Sequence, residues 1–422
     1  MGEMASMIPL SGGQYNWVAI LSPPWCSKFL SYFTGWMSII SWQSAFAGAS
    51  FLGGSMIQGL ARLNYSNYEP ERWHATLIFY AIVVLSLIIN TIVARLLPKI
   101  ESVVLILHIL GFFCVLIPMV YLGPHVSAKE VFANFTNAAG WSDPGLSFFI
   151  GLSTGMFAFI GCDAASHMAE EIENASTIVP TSMLASVILN GSLGFAMVIA
   201  TLFCLRDAEA ALHHPTGFPF IEIFLDATNS RAGTTAMASI VVMAMIFATI
   251  GCHTTASRMA WAFARERGLP GSGFLAKVES RSALPLYAIG LSTIVSLVLA
   301  LINIGSSTTF HALISLTIAA FYSTFLLSAG ILLHKRLTTP YGHIHYGPFR
   351  LGRLGVPIII LSILYSVIGF FFSFWPPSPR PTAVTMNWSV AVFGGTTIFS
   401  LVFWLIYGRK VYTGPLIEIE LR

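Results

Sequence analysis

Four ionisable residues lie close together in one otherwise apolar stretch of the sequence. Residues 151–171 read GLSTGMFAFIGCDAASHMAEE, and the ionisable positions are Asp163, His167, Glu170 and Glu171. In a continuous α-helix the spacing i, i+4, i+7 and i+8 places all four side chains on one face. A carboxylate at membrane depth is costly to keep, so Asp163 indicates a site for a cationic group or a proton, with a structural hydrogen bond as the alternative.

A glycine close to Asp163 in the sequence also supports the prediction of a site. Gly161 precedes Asp163 by two residues and weakens the continuity of the helix. Secondary transporters build substrate and ion sites from helices interrupted at membrane depth, because the unwound backbone exposes N–H and C=O groups to a ligand. For Gly151 and Gly155 the pattern favours a packing contact between helices.

Other chemistry at these residues has less support. His167 and Glu170 form an i, i+3 pair that suits a metal ligand set, but the sequence contains neither a second pair of this kind nor an HExxH motif. A solvated helix end is the alternative interpretation of both residues. We therefore expect no metal and no cofactor, and without a nucleophile motif we expect no enzyme.

The composition defines the elements that must position these residues. Of 422 residues, 55% are hydrophobic and 9% are charged, whereas a soluble domain has roughly 25% charged residues. This excludes a water-soluble globule. The formal net charge of +3 is small and scattered, so we do not expect a nucleic-acid partner. The protein is expected to be an all-α polytopic membrane protein, because helices satisfy their own backbone hydrogen bonds in lipid.

Ten apolar stretches bounded by charges, proline or glycine predict ten transmembrane helices. They lie at about 29–60, 74–96, 102–122, 146–168, 178–205, 235–263, 284–304, 307–333, 355–375 and 387–407. Residues 29–408 then form one transmembrane domain between an N-terminal segment, 1–28, and a tail, 409–422. Fifteen of the 21 Lys and Arg residues fall on the side of the termini, so the positive-inside rule places both termini in the cytoplasm.

Two further spans carry polar atoms at similar depth. The first contains Ser41 and Ser44 in a stripe of small residues, and the sixth contains Thr249 and Cys252 in a stretch rich in hydroxyl groups. Such stripes often hold helices together, but beside an interrupted helix they also predict the walls of a binding cavity.

Arg258, near the predicted cytoplasmic end of the sixth span, also has two interpretations. Pairing with Glu170 or Glu171 would close an inner gate. Ordinary positive-inside anchoring is the alternative.

Four segments of the sequence resemble the amino acid/polyamine/organocation (APC) transporters, and among them the fungal amino acid/choline permease branch. The segments are GEMASMIPLSGGQYNW at 2–17, the stretch 157–180, SRMAWAFARERGLP at 257–270 and GPFRLGRLGVP at 347–357. They occur along the whole chain in the order found in the family.

The resemblance implies a LeuT-like inverted-repeat fold, in which the ten spans correspond to the family's helices three to twelve. The fourth span then matches the family's discontinuous sixth helix, and the site would lie between the first, fourth, sixth and eighth spans. Phe157 or Phe159 would pack over the substrate. The candidate binding residues at the break and on the eighth span are Phe157, Ala158, Phe159, Ile160, Gly161, Cys162, Asp163 and Tyr322.

The implied activity is secondary active transport of amino acids or of a small amine such as choline or GABA. Transport would proceed by alternating access, with proton coupling and a plasma-membrane location inherited from the family. The expected partners are this small nitrogenous solute, the lipid bilayer and a coupling proton.

The family's first helix and most of its second have no counterpart here, which predicts a shortened gene model or isoform beginning at an internal Met. A genuine ten-helix product is the alternative. In that case a non-transporting membrane sensor or an inactive remnant is the second functional hypothesis.

Overall fold

A computed structural model describes residues 1–137, 139–305, 309–340, 343–382 and 385–415, with the side chains of residues 303–311 not included. The described residues form α-helices and no strands, so the expected all-α class is confirmed. The α-helices are α1 Gly2–Met7, α2 Gln14–Leu21, α3 Pro24–Asn64, α4 Arg72–Thr91, α5 Leu97–Leu122, α6 Ala128–Ala133, α7 Pro144–Ala158, α8 Ala175–Cys204, α9 Ala208–Leu212, α10 Pro219–Thr228, α11 Arg231–Arg265, α12 Ser272–Leu275, α13 Leu286–Gly305, α14 Thr309–Thr338, α15 Gly355–Phe372, α16 Ser389–Phe403 and α17 Arg409–Val411. Ala94–Leu96, Ala164–Glu171 and Gly352–Leu354 are 3₁₀-helical, and Trp404–Gly408 is one turn of π-helix.

Each of the ten predicted spans contains a helix. Among the described residues, seven helical stretches are long and apolar enough to cross a membrane by length and composition, and α7 and Leu286–Ile302 are shorter apolar helices. The seven are Arg72–Thr91, Ala94–Leu122, Ala175–Cys204, Arg231–Arg265, Ala312–Thr338, Gly352–Phe372 and Ser389–Val411. The ten crossings and their sidedness stay predictions.

The first predicted span is the central element of the fold. Helix α3 has 41 residues and packs against α11, α14, α2 and α4. Its small residues let neighbouring helices approach closely, and the Phe263 ring lies where a Cβ on Gly35 would stand. With neighbours on most sides, α3 carries buried serines rather than a continuous apolar surface, which explains its modest hydropathy.

The N-terminal segment is buried inside the protein. The side chains of Tyr15 and Trp17 on α2 are fully buried, and the indole of Trp17 donates to the Ile8 carbonyl at 3.1 Å. The Ser6 hydroxyl accepts a hydrogen bond from the Phe349 N–H at 3.0 Å. Segments 2–17 and 347–357, both singled out by sequence, therefore pack against each other.

A buried ion pair reinforces this packing. Nη2 of Arg336, at the end of α14, lies 2.7 Å from both carboxylate oxygens of Glu3, and the side chains are 6% and 2% exposed. Glu3 also accepts the Leu351 N–H at 2.6 Å. The N-terminal segment thus ties α14 to the loop before α15.

Candidate functional site

The fourth predicted span breaks where the glycine–aspartate signal placed the break. Helix α7 ends at Ala158, and the N–H groups of Phe159 and Ile160 bond to carbonyls three residues back. Gly161 then has φ +87°, a conformation that residues with a side chain rarely adopt. The chain continues as the 3₁₀ segment Ala164–Glu171. The break exposes a turn of irregular backbone between the two halves.

The prediction of one α-helical face for the four ionisable residues is wrong. The segment is 3₁₀-helical, with three residues per turn instead of 3.6, so the positions diverge around the axis. Asp163 and His167 still meet, with 3.4 Å between Oδ2 and Nε2. Glu170 and Glu171 face two different arginines of α11.

Asp163 is fully buried at the start of the 3₁₀ segment. Its Oδ2 accepts a hydrogen bond from Gln14 Nε2 at 2.6 Å. Its Oδ1 is buried and has no hydrogen-bond partner among the described residues, and the same holds for Oε1 of Gln14. Two buried acceptors without donors cost free energy unless a proton, a cation or a ligand donor joins them. Sequence reasoning missed Gln14, which lies 149 residues away along the chain.

His167 connects Asp163 to helix α3. The Trp42 indole N–H donates to His167 Nε2 at 3.0 Å, and His167 Nδ1 lies 3.1 Å from the Ser11 carbonyl oxygen. The two rings meet edge to face with centroids 5.6 Å apart. The side chain of His167 is fully buried, so it is not part of a solvated helix end.

A cavity of about 1360 Å³ adjoins the break. Trp42 of α3, Gly161 at the break and Thr255 of α11 contribute to its wall. The sequence-predicted residues that line it are Ile160, Gly161, Glu170, Glu171, Cys252 and Arg258. Trp42, noticed in the sequence only as a neighbour of the serine stripe, stands over the break, with its Cη2 3.5 Å from where a Cβ on Gly161 would lie.

Phe157 and Phe159, the aromatic residues expected to pack over the substrate, do not line this cavity. Phe157 packs against the main hydrophobic core, and Phe159 is 43% exposed, with its ring against Gly191 of α8. Ala158 is exposed, and Cys162 is half-buried. Within the described residues none of these four lines the 1360 Å³ cavity.

The hydroxyl-bearing candidates mostly bond within the helix bundle. Ser41 donates to the Ser38 carbonyl, and Ser44 donates to its own helix while accepting from Thr317 Oγ1 at 3.0 Å. Thr249 donates to the Met245 carbonyl at 2.9 Å. These contacts fit the alternative of helix packing.

Tyr322 of α14 is buried. Its ring packs against those of Phe325 and Tyr365, at centroid distances of 5.6 and 5.8 Å. It does not line the cavity at the break.

Two ion pairs join the 3₁₀ segment to α11. Arg258 Nε lies 3.0 Å from Glu171 Oε1. Arg265, two helical turns further on, binds both oxygens of Glu170 at 2.7 and 2.8 Å, and Glu170 also accepts the Ser11 N–H. Burial raises the pKa of Glu170, but the bonds from Arg265 and Ser11 outweigh it and hold the pKa below its ordinary value. Sequence reasoning missed Arg265, although its spacing of seven from Arg258 places both on one face.

A second buried carboxyl lies just beyond the end of α11. Glu266 is fully buried, and its Oε1 accepts the Tyr15 hydroxyl at 3.0 Å. The Tyr412 hydroxyl, 3.1 Å from Ser31 Oγ, lies against the same carboxyl. Burial chiefly raises the pKa of Glu266 to about 8. The backbone N–H of Thr413 bonds to the Glu266 carbonyl, so this group links α2, α3, α11 and the C-terminal segment.

Comparison with known proteins agrees with this architecture. The family described as "Amino acid permease" matches residues 1–396. The chain belongs to this family, within the APC superfamily. It is 30% identical to the choline transporter of Saccharomyces cerevisiae, covering 98% of this chain and 72% of that protein. It is 28% identical to the amino-acid permease BAT1 of Arabidopsis thaliana, covering 99% and 83%, and 26% identical to amino-acid permease 2 of Neurospora crassa, covering 99% and 76%.

Family membership confirms the resemblance seen in the four sequence segments. The protein is an integral membrane permease, and the family and the names of its relatives indicate a transporter rather than an enzyme. Among the described residues, no group of three or more His, Cys, Asp or Glu side chains is placed to hold a metal ion.

Proposed function

We propose that this permease moves an amino acid or a small amine such as choline or GABA across the plasma membrane by alternating access. One observation carries the proposal: a buried carboxylate with an unpartnered oxygen lies at a helix break that adjoins a large cavity. Relatives named as a choline transporter and as amino-acid permeases support this class of solute.

Asp163 holds the coupling proton in this proposal. Its side chain lies behind the cavity wall, against Gln14 and His167, rather than on the surface that a solute would touch. The solute instead meets the backbone near Gly161 and Thr255 of α11, which line the cavity.

The two ion pairs form the inner gate. Arg258 with Glu171 and Arg265 with Glu170 hold the 3₁₀ segment against α11 at one end of the cavity. These contacts must break before the 3₁₀ segment and α11 can separate. The gate lies on the cytoplasmic side, where both termini also lie. In the bidentate pair of Arg265 with Glu170 both side chains are partly buried, whereas in the pair of Arg258 with Glu171 the glutamate is 55% exposed. The pair of Arg265 with Glu170 is therefore the stronger of the two.

Uptake of labelled solutes tests the proposal. Choline, GABA and the amino acids are supplied at pH 5 and pH 7.5 to cells that lack their own permeases. The protein is expected to accumulate at least one of them, and Asp163→Asn is expected to abolish accumulation because an amide binds no proton. The exposed Asp226 on α10 provides the matched control, since Asp226→Asn makes the same chemical change outside the site.

Two outcomes would contradict this function. Accumulation by Asp163→Asn at the wild-type rate would remove Asp163 from the mechanism. Binding of a solute without any uptake would instead support the second hypothesis, a membrane sensor.

A further inference from the structure

The hydrogen-bond partners of His167 define which of its nitrogens carries a proton. The Trp42 indole can only donate, so His167 Nε2, 3.0 Å away, accepts and bears no proton. The Ser11 carbonyl oxygen can only accept, so Nδ1, 3.1 Å away, carries the proton. His167 is therefore the neutral Nδ1–H tautomer in this arrangement.

This tautomer constrains Asp163. The His167 Nε2 atom lies 3.4 Å from Asp163 Oδ2. Nε2 has one lone pair, so it can accept from the Trp42 indole or take a proton from Asp163, but not both. While the bond from Trp42 is made, the transferable proton of the pair is therefore held on Asp163, whose carboxyl group accepts a hydrogen bond from Gln14.

Transfer of that proton changes the bond to the indole. When the Oδ2–H bond breaks and an Nε2–H bond forms, Asp163 becomes a carboxylate, His167 becomes an imidazolium, and the net charge of the pair is unchanged. Nε2 can then no longer accept from Trp42. The indole N–H loses its partner at a site where an unpaired buried donor is costly, which favours movement of the ring.

Trp42 is also part of the cavity wall. Its ring stands over Gly161 at the break and packs edge to face on Phe321 of α14, with centroids 5.0 Å apart. We propose that His167 is a coupling residue, which passes the protonation state of Asp163 to the solute cavity by making or releasing its hydrogen bond with Trp42. This inference rests on the proposed proton-coupled transport and assigns its internal link.

The groups around His167 support its role as the coupling residue. On its own segment the titratable neighbours are Asp163, Cys162 and Glu170, and Glu170 is already paired with Arg265. The N-terminal segment contributes the Ser11 carbonyl, the Gln14 amide and the Met1 amino group near Cys162, and α3 contributes Trp42. Of these, the Asp163 carboxyl is the acid within 3.4 Å of Nε2.

Two variants separate coupling from binding in reconstituted vesicles. His167→Gln offers an amide oxygen to the indole but takes up no proton, and Trp42→Phe keeps an aromatic ring but has no N–H to donate. The labelled solute that the wild type accumulates serves as the probe. We measure its exchange without a pH gradient, and its accumulation with an acidic exterior.

Both variants are expected to exchange the solute, yet to lose its accumulation in response to the pH gradient. A single coupled proton supports up to about a tenfold concentration ratio per pH unit, and the variants are expected to stay near a ratio of 1. Trp261→Phe is the matched control, because it also removes an indole donor beside the cavity. The indole of Trp261 donates to the Ala276 carbonyl, which cannot titrate. This control is expected to keep the wild-type dependence on the gradient.

The results that overturn the inference differ from those that overturn transport. Gradient-driven accumulation by His167→Gln or by Trp42→Phe contradicts the link. Loss of exchange in either variant contradicts it as well, because the residue would then be needed for binding itself. Loss of coupling in Trp261→Phe would show that the effect is not specific. A wild type that exchanges no solute refutes the proposed function instead, and one that exchanges without responding to the gradient refutes its proton coupling.

Discussion

Replacing Glu266 by glutamine removes a buried titrating group while keeping an oxygen that can accept the Tyr15 hydroxyl. The wild-type carboxyl is fully buried at the end of α11, between Tyr15 of α2 and Tyr412 of the C-terminal segment. Burial is the largest cause that raises its pKa to about 8, from an ordinary value of 4.5. The substitution therefore separates the effect of charge from that of packing.

The sign and size of the effect follow from the two pKa values. In the unfolded chain Glu266 ionises near pH 4.5, whereas in the folded protein it keeps its proton up to about pH 8. Between these values the folded state holds the additional proton, so the free energy of unfolding falls as the pH rises and levels off above pH 8. At about 1.4 kcal/mol per pH unit, the loss over the window is roughly 5 kcal/mol. Glutamine shows no such loss.

Thermal melting of the purified protein in detergent, followed from pH 5 to pH 9, measures this difference. The wild type and Glu266→Gln are expected to melt alike near pH 5, and the variant is expected to melt higher at pH 8. Glu170→Gln is the control, because the lowered pKa of Glu170 confines its own pH dependence to below pH 4.5, so this variant is expected to melt lower than the wild type but with a parallel curve from pH 5 to pH 9. Parallel curves for the wild type and Glu266→Gln would refute the reasoning.

Three further substitutions test the packing around the site, each by its melting temperature. Gly13→Ala places a Cβ 2.9 Å from His167 Cε1 at a residue with φ +57°, and is expected to cost about 1–2 kcal/mol; an unchanged melting temperature would contradict the close packing. Glu3→Gln leaves the Arg336 guanidinium buried beside a neutral group and is expected to cost about 3 kcal/mol, whereas a loss well below 1 kcal/mol would indicate a pair open to solvent. Gly161→Ala is expected to cost about 1 kcal/mol and to slow solute uptake, and wild-type uptake by this variant would argue against a need for the break.

The helical spans, which the lipid bilayer requires, are the part of the fold that could be predicted from the sequence. Long apolar stretches have few alternatives to helices in a bilayer, so each of the ten predicted spans contains a helix. In the stretch 146–168 the sequence predicts an interruption near Gly161, and α7 does end at Ala158, before Gly161 with its positive φ. The sequence does not predict that the residues after the break form 3₁₀ turns rather than a continued α-helix.

The N-terminal segment shows why the site was harder to predict than the helices. Ser11 and Gln14 supply the partners of His167 and Asp163, but as single polar residues in a loop and a short helix they show no periodicity or motif spacing. Their role depends on a contact made across about 150 residues of chain, which local patterns do not encode. The ionisable residues of the break could be found because charge is rare in an apolar sequence.

The partners of a buried charge, in contrast, are ordinary polar groups. Asp163 stood out in the sequence, whereas Gln14, which donates to it at 2.6 Å, did not. A lone acid in a membrane span therefore predicts that a site exists, while the chemistry of the site is set by the neutral donors and acceptors around it. At this break those groups are the Gln14 amide, the Trp42 indole and the Ser11 carbonyl, which are hydrogen-bond partners of Asp163 and His167.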